Sequence, residues 1–176
     1  MFAIESSQEI TQADFENERT LIESVVLNLE GNAADVAVVL YNTEVHLNIT
    51  FDQFNEFSPL NKAIRRLSPL APLSRGSADL EKLFNTTFTR TPQVFLMLKK
   101  EVTSTYPQGF KVSDGKLGGV KKIAVIFEKA SNIRDIANFH AVIHFIDSYE
   151  FYKNRVINKV TDALCYGKRL NGLMIL

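Results

Sequence analysis

Apolar residues recur along the chain in two distinct rhythms. Between Thr11 and Leu29, Phe15, Ile22, Val25, Val26 and Leu29 fall three and four residues apart, the spacing of one face of an α-helix. Thr11 followed by Asp14 is a capping pair for its start, and Gly31-Asn32 supplies a stop. Tyr152 to Leu164 shows the same rhythm, with Val156, Ile157, Val160 and Leu164 on the inward side. A third helix is expected over Phe57 to Leu67, its start constrained by Pro59 and its end marked by Ser68-Pro69-Leu70-Ala71-Pro72. Short helices are expected at Ser77 to Phe84 and Ile133 to Phe139. Another is expected at Pro92 to Val102, where Pro92 occupies a first-turn position that needs no amide donor.

The other rhythm is unbroken. Val36 to Leu40 and Ile123 to Phe127 are apolar without alternation, as strands must be when helices cover both faces of a parallel sheet, and Ala141 to Ile146, apolar but for His144, is read as a third buried strand. Val45 to Phe51 alternates instead, with Val45, Leu47, Ile49 and Phe51 on one side. That pattern belongs to a strand nearer an edge, joined to its predecessor through Asn42-Thr43. Tyr106 to Gly119 is read as a loop. Alternating strands and helices give an α/β fold: a doubly wound, mostly parallel sheet flanked by helices, Rossmann-like. Ligands of such sheets sit at the carboxyl ends of the strands, so the loop after Ile4 and the region of Thr89 are the places to search.

Composition narrows the function. Twenty Lys and Arg balance twenty Asp and Glu in 176 residues, leaving no basic footprint for a nucleic-acid partner. No apolar run approaches the roughly 20 residues of a membrane span. The single Cys165 excludes an internal disulfide framework and a multi-cysteine zinc site. The opening Met1-Phe2-Ala3-Ile4-Glu5 lacks the charged start and cleavage site of a secretion signal. It reads as the second half of a buried strand, so the chain is expected to be a fragment of a larger multidomain protein. Two glycosylation triplets, Asn48-Ile49-Thr50 and Asn85-Thr86-Thr87, matter only in a secreted protein.

Several chemistries fall away. Gly115-Lys116-Leu117-Gly118-Gly119 lacks the order of a phosphate loop, and no Gly-x-Gly-x-x-Gly follows Ile4 or Leu40. Ser7 has no nucleophile-elbow glycines. His140 and His144 have no nearby Glu or Cys to complete a zinc set, and thirteen Phe without Trp serve as core filling.

Phe2-Ala3-Ile4-Glu5-Ser6-Ser7-Gln8-Glu9-Ile10, followed by Asp14-Phe15-Glu16, resembles the first strand and Asp-x-Ser-x-Ser metal loop of von Willebrand factor A (VWA) domains. Asp35 to Tyr41 resembles the family's second strand. Thr89-Arg90-Thr91-Pro92, running into Leu96, Leu98 and Lys99-Lys100-Glu101-Val102, resembles its threonine loop and the helix after it. His140 to Cys165 resembles its last strand and helix. The resemblance implies a non-enzymatic module of an extracellular matrix or adhesion protein. Such a module binds a protein ligand, matrix or collagen-like, at the carboxyl edge of the sheet, either through Mg2+ or Ca2+ at a metal-ion-dependent adhesion site or, where that degenerate site is empty, on the same surface without a cation. The implied ligands are Glu5, Ser7 and Glu9, a hydroxyl from Thr89 or Ser74, and an acid.

If Ile123 to Phe127 is the fourth strand, that acid is Glu128; if it is the fifth, the acid is Asp114 of Ser113-Asp114-Gly115. Glu5 and Glu9 stand where the family has Asp and Ser. The longer Glu5 arm fits poorly with magnesium, which holds its ligands at about 2.1 Å. Residues 1–167 are read as the VWA-like domain, short of one strand–helix unit, and 168–176 as a tail. The alternative is a small Rossmann-like enzyme, a hydrolase or phosphoryl-transfer protein, marked by a deep pocket with a base and a perturbed acid.

Overall fold

The computed structural model describes residues 1–6, 10–29, 33–42, 45–70, 94–99, 121–127, 141–145, 149–165 and 173–175. Seven strands form one sheet: β1 Phe2–Glu5, β2 Val38–Tyr41, β3 Val45–Ile49, β4 Val94–Lys99, β5 Lys121–Phe127, β6 Ala141–Phe145 and β7 Leu173–Ile175. Their spatial order is β3-β2-β1-β4-β5-β6-β7, and every neighbouring pair is parallel except β2 with β3. The helices are α1 Gln12–Asn28, α2 Phe57–Arg65 and α3 Tyr149–Cys165. A 3-10 turn, Ala33–Asp35, leads into β2.

The burial of β1 and β2 explains the unbroken apolar code. All four residues of each strand are buried, so both faces of the sheet are covered there. Edge strand β3 has only Ile49 fully inside, in keeping with its alternation. The core gathers Ile4, Leu40 and Ile49 from the sheet with Phe15, Leu21 and Ile22 from α1 and Leu60 and Ile64 from α2. From α3, Val156, Ile157 and Val160 are buried and Leu164 packs against the same cluster, as the helical spacing predicts.

Helix α1 begins as its sequence dictates. The Asp14 amide donates to Thr11 Oγ1 at 3.2 Å and the Thr11 amide to Asp14 Oδ2 at 3.0 Å, a reciprocal capping box. It ends at Asn28 with Leu29 as its cap; Gly31-Asn32 lies outside the described residues. In α2, Pro59 sits within the first turn, where its missing amide leaves no helical bond unmade.

Arg19 of α1 crosses to the far end of α2, donating from Nη1 to the Arg65 carbonyl at 2.6 Å and the Leu67 carbonyl at 3.4 Å, while it pairs with Glu16. Carbonyls at a helix carboxyl end have no partner within the helix and carry the negative end of its dipole, so a guanidinium there is favourable. Arg65 returns the link by donating from Nε to Glu23 at 2.6 Å. That carboxylate holds the Arg65 guanidinium above its usual pKa.

Three expectations are corrected. Pro92 to Val102 is not a helix: Val94–Lys99 is strand β4, set between β1 and β5. Val94 to Leu98 is five consecutive apolar residues with no polar side, and a site buried between two strands takes such a run where an amphipathic helix cannot form. The sheet is therefore not short of a strand, because β4 is the one thought missing. The stretch 168–176 is not only a tail, since Leu173–Ile175 adds to β6 as β7. The expected helices at 77–84 and 133–139 and the loop at 106–119 lie outside the described residues.

Leu98→Ala is expected to lower stability to urea unfolding by about 2–5 kcal/mol, as truncation at a fully buried strand position does. Arg19→Met keeps the apolar stem and removes the cap on α2; a loss of about 1 kcal/mol in the same measurement is expected.

Candidate functional site

The chain adds β2 and β3 on one side of β1 and then returns to add β4 on the other. This reversal makes the carboxyl ends of β1 and β4 the topological switch point of the sheet, the place where ligands of doubly wound sheets bind. Glu5 closes β1 at that rim. It lies opposite Tyr41 of β2 and one step beyond the Ile4–Leu98 pair with β4, so the neighbouring register position on β4 is Lys99. Glu5 is 3% exposed and Ser6, the next residue, 1%. A carboxylate so far from water requires compensation by polar or charged neighbours.

Three hydrogen bonds fix the rim. The Ser6 amide donates to the Tyr41 carbonyl at 2.7 Å, extending the β1–β2 ladder by one rung. The Tyr41 hydroxyl donates to the Leu98 carbonyl at 3.0 Å, bridging β2 to β4 across β1 in a buried setting. Ser6 Oγ accepts from the Leu70 amide at 2.6 Å, drawing the segment that leaves α2 onto the end of β1. Arg19 grips the same segment at its start, through the carbonyls of Arg65 and Leu67. Buried Asn42 completes the turn out of β2.

Of the sequence-predicted ligands, Glu5 alone falls among the described residues, and it stands at the expected rim. Ser7, Glu9, Thr89, Asp114 and Glu128, with the competitor Ser74, lie outside them. What surrounds those stretches bears on two of the expectations. Leu70, four residues before Ser74, is tied to Ser6 at the rim. Val94, five residues after Thr89, begins β4 at the opposite end of the sheet, where its carbonyl accepts from the Met1 nitrogen at 2.8 Å. The helix that motivated Thr89 is the strand β4, whose ends are about 16 Å apart at about 3.3 Å per residue. Ile123 to Phe127 lies in β5, the fifth strand among the described residues, which pairs with β4 and β6.

A divalent cation at this rim needs several oxygen donors. The described residues provide one carboxylate, Glu5, beside a strand end that carries lysine. Among them no group of three His, Cys, Asp or Glu residues gathers to hold a metal ion. The described donors therefore do not amount to a cation site. Sequence reasoning passed over Ser6, Tyr41 and Lys99. The break in the apolar run at Lys99 marked a strand end, but nothing local distinguishes a serine or tyrosine that bonds to a residue more than fifty positions away.

Comparisons with known proteins agree with this architecture. The proximal thread matrix protein 1 of the mussel byssus superposes with a TM-score of 0.71 at 15% identity, covering 93% of this chain and 44% of that protein. A second structure of the same mussel protein, with zinc in its metal-ion-dependent adhesion motif, gives 0.74 at 14% identity over the same shares. An aerotolerance-related membrane protein of Bacteroides fragilis gives 0.63 at 12% identity, over 93% of this chain and 98% of its own. This chain thus spans less than half of the mussel protein and nearly the whole of the bacterial structure. At these identities the likeness is one of fold. Comparison with curated protein sequences gives no match. The family model of the von Willebrand factor type A domain matches residues 1–98, from β1 through most of β4 and more than half of the chain, and the protein belongs to that family.

Proposed function

We propose that the chain is a protein-recognition module of an extracellular matrix or adhesion protein, and not a catalyst, with its ligand docking at the carboxyl rim around Glu5. The observation that carries this reading is the hydrogen-bonded platform at the carboxyl ends of β1, β2 and β4. Tyr41, Ser6 and Leu70 tie three strand ends and the segment after α2 together. Rigid strand ends presenting variable segments are a common way to build a binding surface. The likeness to a byssal thread matrix protein supports a matrix setting, with a collagen-like protein as the first ligand to try.

The rim works in this reading without a bound cation. Glu5 and Glu9 replace the Asp and Ser of the family loop, and β4 ends in Lys99 at the register position next to Glu5. A lysine at that position supplies no oxygen donor, where a dication takes oxygen ligands. The zinc-bearing mussel structure supports the contrary version, in which Glu5, Ser7 and Glu9 join a hydroxyl and an acid around a metal. In that version Ser74 is the better hydroxyl, since Leu70 brings the chain to Ser6 and four residues reach up to about 14 Å. Asp114, between β4 and β5 in the chain, is the better acid.

Thermal melting separates the two. The melting temperature is expected to stay the same in millimolar Mg2+, Ca2+ or Zn2+ and in chelator. A cation at about a hundred times its Kd would stabilise the fold by about 2.7 kcal/mol, a shift of several degrees, and would overturn the cation-free reading. Immobilised collagen in chelator-containing buffer tests the ligand class: saturable binding is expected, and its absence with collagen and with other matrix proteins would remove the matrix assignment.

A further inference from the structure

Asn48-Ile49-Thr50 is one of two acceptor triplets in the sequence, and the fold places it where an acceptor must be. Asn48 and Thr50 are exposed while Ile49 between them is buried and anchors the strand. Strand β3 is an edge of the sheet, and among the described residues it pairs with β2 alone. The ladder shifts register between the pairs Val39–Leu47 and Val38–Ile49, so Asn48 is the extra residue of a bulge. Bulges of this kind free a side chain from the ladder and turn an edge away from further pairing. Just past the strand, the Thr50 amide donates to Gln53 Oε1 at 2.9 Å, which holds the end of the triplet in a turn on the surface.

We propose that Asn48 carries an N-linked glycan. The step joins Asn48 Nδ2 to the anomeric carbon of an oligosaccharide supplied as its polyprenyl pyrophosphate. The bond between that carbon and the pyrophosphate oxygen breaks, polyprenyl pyrophosphate leaves, and the amide nitrogen gives up one proton; nothing is oxidised or reduced. This rests on the extracellular reading above, because the donor and its transferase act on chains entering the secretory pathway.

Position gives the glycan a purpose. Strand β3 runs antiparallel to β2, so Asn48 lies near Val38, at the opposite end from Tyr41 and Glu5. A glycan there leaves the binding rim open. It also stands over the outward N–H and C=O groups of β3, the groups that invite another strand to pair, and so protects the edge from association between copies. The second triplet, Asn85-Thr86-Thr87, lies outside the described residues.

The test is expression of the full chain behind a heterologous secretion leader in a eukaryotic host. Wild type is compared with Asn48→Gln and Asn85→Gln. Peptide mapping before and after peptide N-glycosidase is expected to show Asn48 modified in the wild type and in Asn85→Gln, and converted to Asp on enzyme treatment. Asn48→Gln is expected to lose that glycan, keep the melting temperature of the enzyme-deglycosylated wild type, and form more high-mass species on size exclusion. Secreted, folded wild-type chain with Asn48 unmodified would overturn the proposal. Because the leader delivers the chain to the secretory pathway in any case, that result would bear on Asn48 and leave the reading of the rim standing.

Discussion

Burying a four-residue strand on both faces is the constraint around which this molecule is arranged. Phe2–Glu5 has strands on either side, and its residues are hidden from water along their whole length. Its backbone groups must therefore pair with β2 and β4, and its side chains must meet helices or other apolar surface. Helix α1 meets this demand first: it follows β1 directly and packs against it while also touching α2 and α3. The core that results, from Phe15 and Ile22 through Ile4 and Leu40 to Leu60 and Val160, is one continuous cluster and not a set of local ones.

The same strand brings the strand ends of the candidate site together. Because β1 is central and its neighbours are parallel, the carboxyl ends of β1, β2 and β4 arrive together. Polar groups buried there have to satisfy one another, and Ser6, Tyr41 and Leu70 do so by crossing between elements. The Arg19 cap on α2 contributes at a distance, since it fixes the chain between Arg65 and Leu67 just before Leu70 turns to Ser6. The rim is in this way held from two sides.

At the opposite side of the sheet, β3 faces a different problem. An edge strand exposes unpaired backbone groups, and this one is half-exposed along most of its length. The bulge at Asn48 and the polar residues around it answer that problem within the fold. A glycan at the same position would reinforce them at the end of the strands opposite Tyr41 and Glu5.

The sequence by itself determined the elements whose information is local. Thr11 and Asp14 fixed the start of α1, the spacing of Val156, Ile157, Val160 and Leu164 fixed the inward face of α3, and apolar runs, broken in β6 only by His144, fixed β2, β5 and β6. It also carried the α/β class and the family resemblance, and Glu5 as the residue that ends β1. Tertiary structure alone decided the rest. Val94 to Leu98 reads equally as helix or strand by its apolar content, and only the vacancy beside β1 in a parallel sheet makes it a strand. Leu173–Ile175 is too short to declare itself and becomes β7 because β6 offers an open edge. The partners of Ser6 and Tyr41, and the place of Lys99 beside Glu5, depend on residues distant in the chain. Hydrogen bonds and register between remote segments leave no period in the sequence, because they are set by which strand ends the whole sheet brings together.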